Sequence, residues 1–154
     1  MGMRLGVACL VLGGALAAAP LLAQDEAEEE EEEAGFGTLV AELTPEAVEE
    51  GAGVAGASAV FRGELDAGSG DVCYILEARG LRDAGEAHIH RGLPGESGSA
   101  VIDLLVTGDD GDICIAKQPR DINGILNDAV GHYVDIHLRS NRRTVALRGQ
   151  LAAE

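Results

Sequence analysis

Aromatic residues are scarce in this chain, which has no Trp, two Tyr and two Phe among 154 residues. A core must therefore come from Val, Ile, Leu and Ala, which pack densely but offer little aromatic platform for a flat ligand. Basic residues are also few: 11 Lys and Arg stand against 27 Asp and Glu, a net charge of -16. That balance excludes nucleic acid as a partner, because neutralising phosphates requires Lys and Arg, and it disfavours anionic membrane surfaces. The catalytic signatures Gly-x-Ser-x-Gly and His-Glu-x-x-His are missing, as is a phosphate-cradling glycine loop. So is Cys-x-x-Cys, which removes the usual redox pair. A non-catalytic module is the expectation, with an extracellular protein, a glycan or a cation as the open partner classes.

Charge is also absent from residues 5–23, directly after Arg4. A positive start, an apolar run and small residues ending at Ala23 predict a signal peptide over 1–23, cleaved before Gln24. An uncleaved anchor is the alternative, since the run nearly reaches the roughly 20 residues a span needs. Gly13-Gly14, Pro20 and the acidic residues that follow favour cleavage, and Cys9 then leaves with the signal. The product is expected in the periplasm or outside the cell, without stable membrane insertion. Residues 24–36, dominated by Glu28 to Glu33, read as a disordered acidic linker, because dense like charges repel and bury nothing. Residues 37–154 then form one β domain, too short for two. Asp109-Asp110-Gly111-Asp112 lacks the ligand spacing of an EF-hand loop and reads as a turn. In an oxidising compartment the two remaining cysteines, Cys73 and Cys114, are expected to form a disulfide.

Within the domain the hydrophobic period is mostly two. Strands are predicted over 38–43, 58–65, 72–78, 87–90, 100–106, 113–116, 132–138 and 145–151, separated by Gly-, Asp- and Ser-rich breaks. About eight short strands imply an all-β fold, an antiparallel Greek-key-like sandwich or barrel. One segment has helical spacing instead: Ile122, Ile125, Leu126 and Ala129 predict a short helix with Asp121 as its N-cap.

Alternation also selects the candidate site. His88 and His90 share one face of their strand, with Ile89 on the other. On the strand from His132, the apolar face is Val134, Ile136 and Leu138, and Tyr133, Asp135, His137 and Arg139 lie opposite. If these polar faces adjoin, His88, His90 and His137 supply three nitrogens to one ion, copper or zinc, at about 2.0–2.1 Å each. Asp135 and Arg148 are then candidates to orient those ligands from behind. The same residues equally fit a hydrogen-bonded cluster, with Arg148 as an ion-pairing residue. His132, of opposite parity, reads as a strand-end residue outside the site.

His88-Ile89-His90 with Gly92, the run Gly98 to Leu105, Tyr133-Val134-Asp135-Ile136-His137 and Arg148-Gly149-Gln150-Leu151 occur in an order that resembles the CHRD domain. That family is named for the extracellular protein chordin and also occurs as a stand-alone secreted module in bacteria. The resemblance covers about Phe36 to Ala152 and implies an all-β extracellular domain without established catalytic activity. Two positions depart from the family pattern. Asp135 stands where the family tends to have Asn, and Ser140 to Thr144 replaces a Pro-Gly-Gly-Glu-type turn. The His-x-His strand also resembles part of a copper/zinc superoxide dismutase site, but the bridging histidine and the aspartate arrangement of that enzyme have no counterpart in the sequence.

Overall fold

The structure is a computed structural model that describes residues 35–49, 52–108 and 111–154. The expected signal segment, the acidic linker as far as residue 34, and Asp109-Asp110 lie outside the described residues. The strands are β1 (Phe36–Leu43), β2 (Ser58–Asp66), β3 (Asp71–Arg79), β4 (Ala84–Arg91), β5 (Ala100–Leu105), β6 (Ile113–Ala116), β7 (His132–Leu138), β8 (Val145–Gln150) and the short β9 (Ala152–Ala153). They form two antiparallel sheets, β6-β3-β2-β1-β9 and β5-β4-β7-β8, and so a sandwich rather than a barrel. β1 starts one residue inside the expected linker. β4 begins three residues before the expected position, and β9 was not foreseen.

The period of two explains the layers. On β2, Ala59, Phe61 and Leu65 are buried while Val60, Arg62 and Glu64 face out. On β3, Val72, Tyr74 and Leu76 point to the same interior. From the other sheet come Ala87, Ile89, Ile102, Leu104, Val134, Ile136 and Leu147, closing one core. Cys73 and Cys114 stand directly opposite each other in the β3–β6 register and form the expected disulfide.

Tyr74 carries a polar bond between the sheets: its hydroxyl, on β3, accepts the Leu105 N–H of β5 at 2.8 Å. Replacing Tyr74 with Phe keeps the ring but leaves that donor unpaired. A loss of about 1–2 kcal/mol is expected, readable as a lower denaturant midpoint at unchanged slope.

The helix α1 spans Pro119–Asn127, and its cap corrects the sequence expectation. Gln118, not Asp121, precedes the first turn, and Asp121 lies within that turn. Proline explains the shift, because its fixed φ and missing N–H cost nothing at the first helical position. Ile122 and Ile125 are fully buried as the spacing predicted. Ala129 belongs instead to a separate 3-10 turn, Ala129–Gly131, that leads into β7. Among the described residues no helix is long and apolar enough to cross a membrane.

Candidate metal centre

The register between β4 and β7 builds the site. His88 is paired with Asp135, and His90 with Tyr133. Antiparallel neighbours point to the same face, so His88, His90, Tyr133 and Asp135 emerge together on the side away from the core. A bulge between Ile136 and His137 in the β7–β8 pairing lies beside the remaining histidine. His88, His90, Asp135 and His137 each offer one donor atom, all within 4.8 Å of one another.

Asp135 stands at the centre of this group instead of behind it. Its Oδ1 is 3.3 Å from His88 Nδ1, and its Oδ2 is 3.2 Å from Nε2 of both His90 and His137. For four donors around zinc at about 2.0–2.1 Å, the edges of a tetrahedron come to about 3.3–3.4 Å. The observed Nε2–Oδ2 separations nearly equal that spacing. The carboxylate is 3 % exposed and the imidazoles 14–19 %, so a cation here would be mostly shielded from water.

Proton placement separates His90 from an ordinary polar contact. Its Nδ1 lies 2.9 Å from the Gly98 carbonyl, which can only accept, so Nδ1 carries the hydrogen. In the neutral ring Nε2 then has a bare lone pair, facing a carboxylate oxygen and buried without a hydrogen-bond partner. Lone pair against anion is repulsive unless a proton or a metal cation lies between them. Nδ1 of His137 is also buried without a partner, while its Nε2 bonds Asp135.

The apo cluster answers this problem with protons. Burial would raise the Asp135 pKa, but the His137 hydrogen bond and the pairing with His90 once its Nε2 is protonated outweigh it and hold the carboxyl far below the ordinary carboxylate range. Burial lowers the His90 pKa, and the Asp135 carboxylate with the Gly98 carbonyl more than offsets it, leaving a net rise. For His137 the Asp135 bond is the largest influence and raises the pKa against a smaller effect of burial.

A family model, the CHRD domain, matches residues 39–151. The chain belongs to the CHRD domain family. No curated protein matches the sequence. In this CHRD domain the closing Arg148-Gly149-Gln150-Leu151 has a structural reason at each position. The Arg148 guanidinium lies 3.7 Å from the centroid of the Tyr133 ring, and its nitrogens reach Glu49 at 3.4 Å and Ser97 at 3.5 Å. A side chain at Gly149 would place its Cβ 2.3 Å from the Glu42 carbonyl oxygen, so glycine lets β1 approach β8. Gln150 Nε2 lies 2.7–2.8 Å from the carbonyls of Gly92, Val130 and His132, which share its two N–H donors, and Leu151 is buried in the core.

Arg148 thus bears on Tyr133, Glu49 and Ser97, one layer further out than its expected place behind the histidines. His132 stays outside the cluster, as its parity implied. It is buried with Nδ1 2.7 Å from the Asp128 carbonyl. Sequence reasoning did not find Gly98, whose carbonyl anchors His90. Tyr133 was placed on the correct face, but nothing in its spacing showed that its ring stacks on His90, centroids 5.0 Å apart at 3°.

Proposed function

We propose that this CHRD protein is a non-catalytic extracytoplasmic module that binds one zinc or copper ion through His88, His90, Asp135 and His137. The observation that carries the reading is the His90 ring. Its N–H is committed to the Gly98 carbonyl, and its bare Nε2 faces a buried carboxylate beside two more imidazoles. Metal-bound histidines commonly donate the distal N–H to a carbonyl in this way. Imidazole and carboxylate donors suit both ions. Four protein donors also match a closed structural site better than a catalytic one, which keeps a position open for water. That weighs against a dismutase-like activity. Export is supported by the sequence of residues 1–23 and by the disulfide, a bond that persists in oxidising compartments.

Calorimetric titration with zinc and with copper tests the reading, using a chain that begins at Gly35 so that the acidic run contributes no binding. Tight one-to-one binding is expected, and it should disappear in the His88→Ala/His90→Ala double variant. Bound metal at a hundredfold excess over its Kd should also stabilise the fold by about 2.7 kcal/mol. Absence of binding to the parent chain would reduce the cluster to a hydrogen-bonded feature of the sheet and turn the search to protein or glycan partners.

A further inference from the structure

Tyr133, Gly98 and His90 are linked to one another by three contacts that close a ring. The Tyr133 ring stacks flat on the His90 imidazole. The Tyr133 hydroxyl accepts the Gly98 N–H at 3.3 Å, and the Gly98 carbonyl accepts the His90 Nδ1–H at 2.9 Å. Ring, hydroxyl, peptide and imidazole therefore hold one another in place, and the peptide joining them comes from the loop between β4 and β5.

Both ends of that link are constrained from outside. A Cβ on Gly98 would fall 1.7 Å from the Arg91 carbonyl oxygen, so only glycine lets the loop lie this close to β4. Arg148 packs its guanidinium against the Tyr133 ring and bonds Ser97, the residue before Gly98. Ser97 in turn donates to Glu49 at 2.9 Å. The ring cannot swing away from His90 without breaking these contacts.

We infer that Gly98 and Tyr133 are positioning residues that lock His90 in its Nδ1–H tautomer and thereby aim the Nε2 lone pair into the cluster. Free neutral imidazole exchanges between two tautomers, and the bond made by one nitrogen decides the form of the other. Without the Gly98 carbonyl at its present place, the His90 proton is free to move to Nε2, where Asp135 accepts it. That form cannot ligate through Nε2. The inference rests on the metal-binding reading for its consequence, but the tautomer belongs to the metal-free protein.

The test is long-range 1H–15N correlation of the histidine rings in the metal-free full chain, followed upward in pH until the His90 ring, whose pKa is raised, is neutral. Tyr133→Phe keeps the stacked ring and removes only the acceptor of the Gly98 N–H, so it preserves the fold. Gly98→Ala displaces the peptide itself and is the stronger perturbation. The parent chain should show the Nδ1–H form of His90, and both variants should show the Nε2–H form appearing. Zinc Kd, measured by chelator competition, should rise about tenfold in Tyr133→Phe and further in Gly98→Ala, within the span typical of outer-shell losses. An Nε2–H form in the parent chain overturns the inference, as does an unchanged tautomer in both variants. Loss of the tautomer with no zinc binding in the parent upholds the positioning role and sinks the metal reading. Zinc binding with an unmoved tautomer does the reverse.

Discussion

Replacing Asp135 with asparagine is expected to destabilise the metal-free protein by about 3 kcal/mol near pH 5.5, the low end of the cost of breaking a buried ion pair. In alkaline solution, once His90 and His137 have lost their protons, the same change should cost almost nothing. The sign follows from what each partner carries. Asp135 has a depressed pKa, so its contribution is present above the unfolded value of about 3.9 and is lost as pH falls. His90 and His137 have raised pKa values, so their contributions are present below about 6.5 and are lost as pH rises through the folded values. These are the same contacts seen from two sides, so the windows overlap and do not add, and the cluster stabilises the apo fold from about pH 4 up to the raised folded values of His90 and His137, which lie above about 6.5. Asparagine removes the anion that the imidazolium rings need in that window. Once pH has risen past the raised folded values of His90 and His137, their rings are neutral and the amide suits them. Its carbonyl can accept from His88, and its two N–H groups can donate to the Nε2 atoms now facing Oδ2.

Metal binding should respond in the opposite pH range. Asparagine's amide hydrogens occupy the lone pairs a cation needs and bring no charge, so zinc affinity near pH 8 should fall by at least a hundredfold. Chemical denaturation of both proteins at the two pH values, each with zinc and with chelator, reads the stability costs and the loss of zinc affinity together. A variant that still binds zinc within about tenfold of the parent would remove Asp135 from the ligand set.

What was legible in the sequence is what alternation encodes. A period of two fixes which side chains share a face, and it placed His88 with His90 and Asp135 with His137 before any pairing was known. Pairing itself was not legible. That β4 lies beside β7, with His88 opposite Asp135, depends on contacts between segments 47 residues apart that no local pattern marks. Hence Asp135 was expected behind the histidines, whereas its carboxylate lies between them. Arg148 pairs with Asp135 across β7 and β8, yet its long side chain reaches to Tyr133 and the loops. Gly98 illustrates the limit most sharply. Its role lies in a backbone carbonyl, which leaves no trace in residue type, and the close approach to Arg91 that requires glycine there cannot be told from a flexible loop glycine in the sequence. At α1 the apolar spacing was right and the boundary wrong, since Pro119 starts a helix more firmly than Asp121 caps one.

Removing the disulfide, as Cys73→Ser/Cys114→Ser, is expected to cost about 4 kcal/mol on chain-entropy grounds for a closed loop of this size. The two cysteines are 41 residues apart and sit opposite each other with Cα atoms 4.0 Å apart. β6 has only four residues and forms one edge of its sheet, paired on a single side with β3. Four cross-strand pairs alone hold such an edge weakly, so the covalent tie both restricts the unfolded chain and keeps β6 docked. For a domain of this size the expected shift in Tm is roughly 15–25 °C, measured by calorimetry at equal protein concentration. Reduction of the parent chain should give nearly the same shift, which separates loss of the bond from the effect of two hydroxyls. Zinc affinity of the folded variant should change less than about twofold, because independent sites in a fold behave additively. Both cysteines belong to the five-stranded sheet, and the cluster lies wholly on the four-stranded one. A large loss of zinc affinity in a still-folded variant would mean that the edge strand and the histidine face are mechanically coupled through the core.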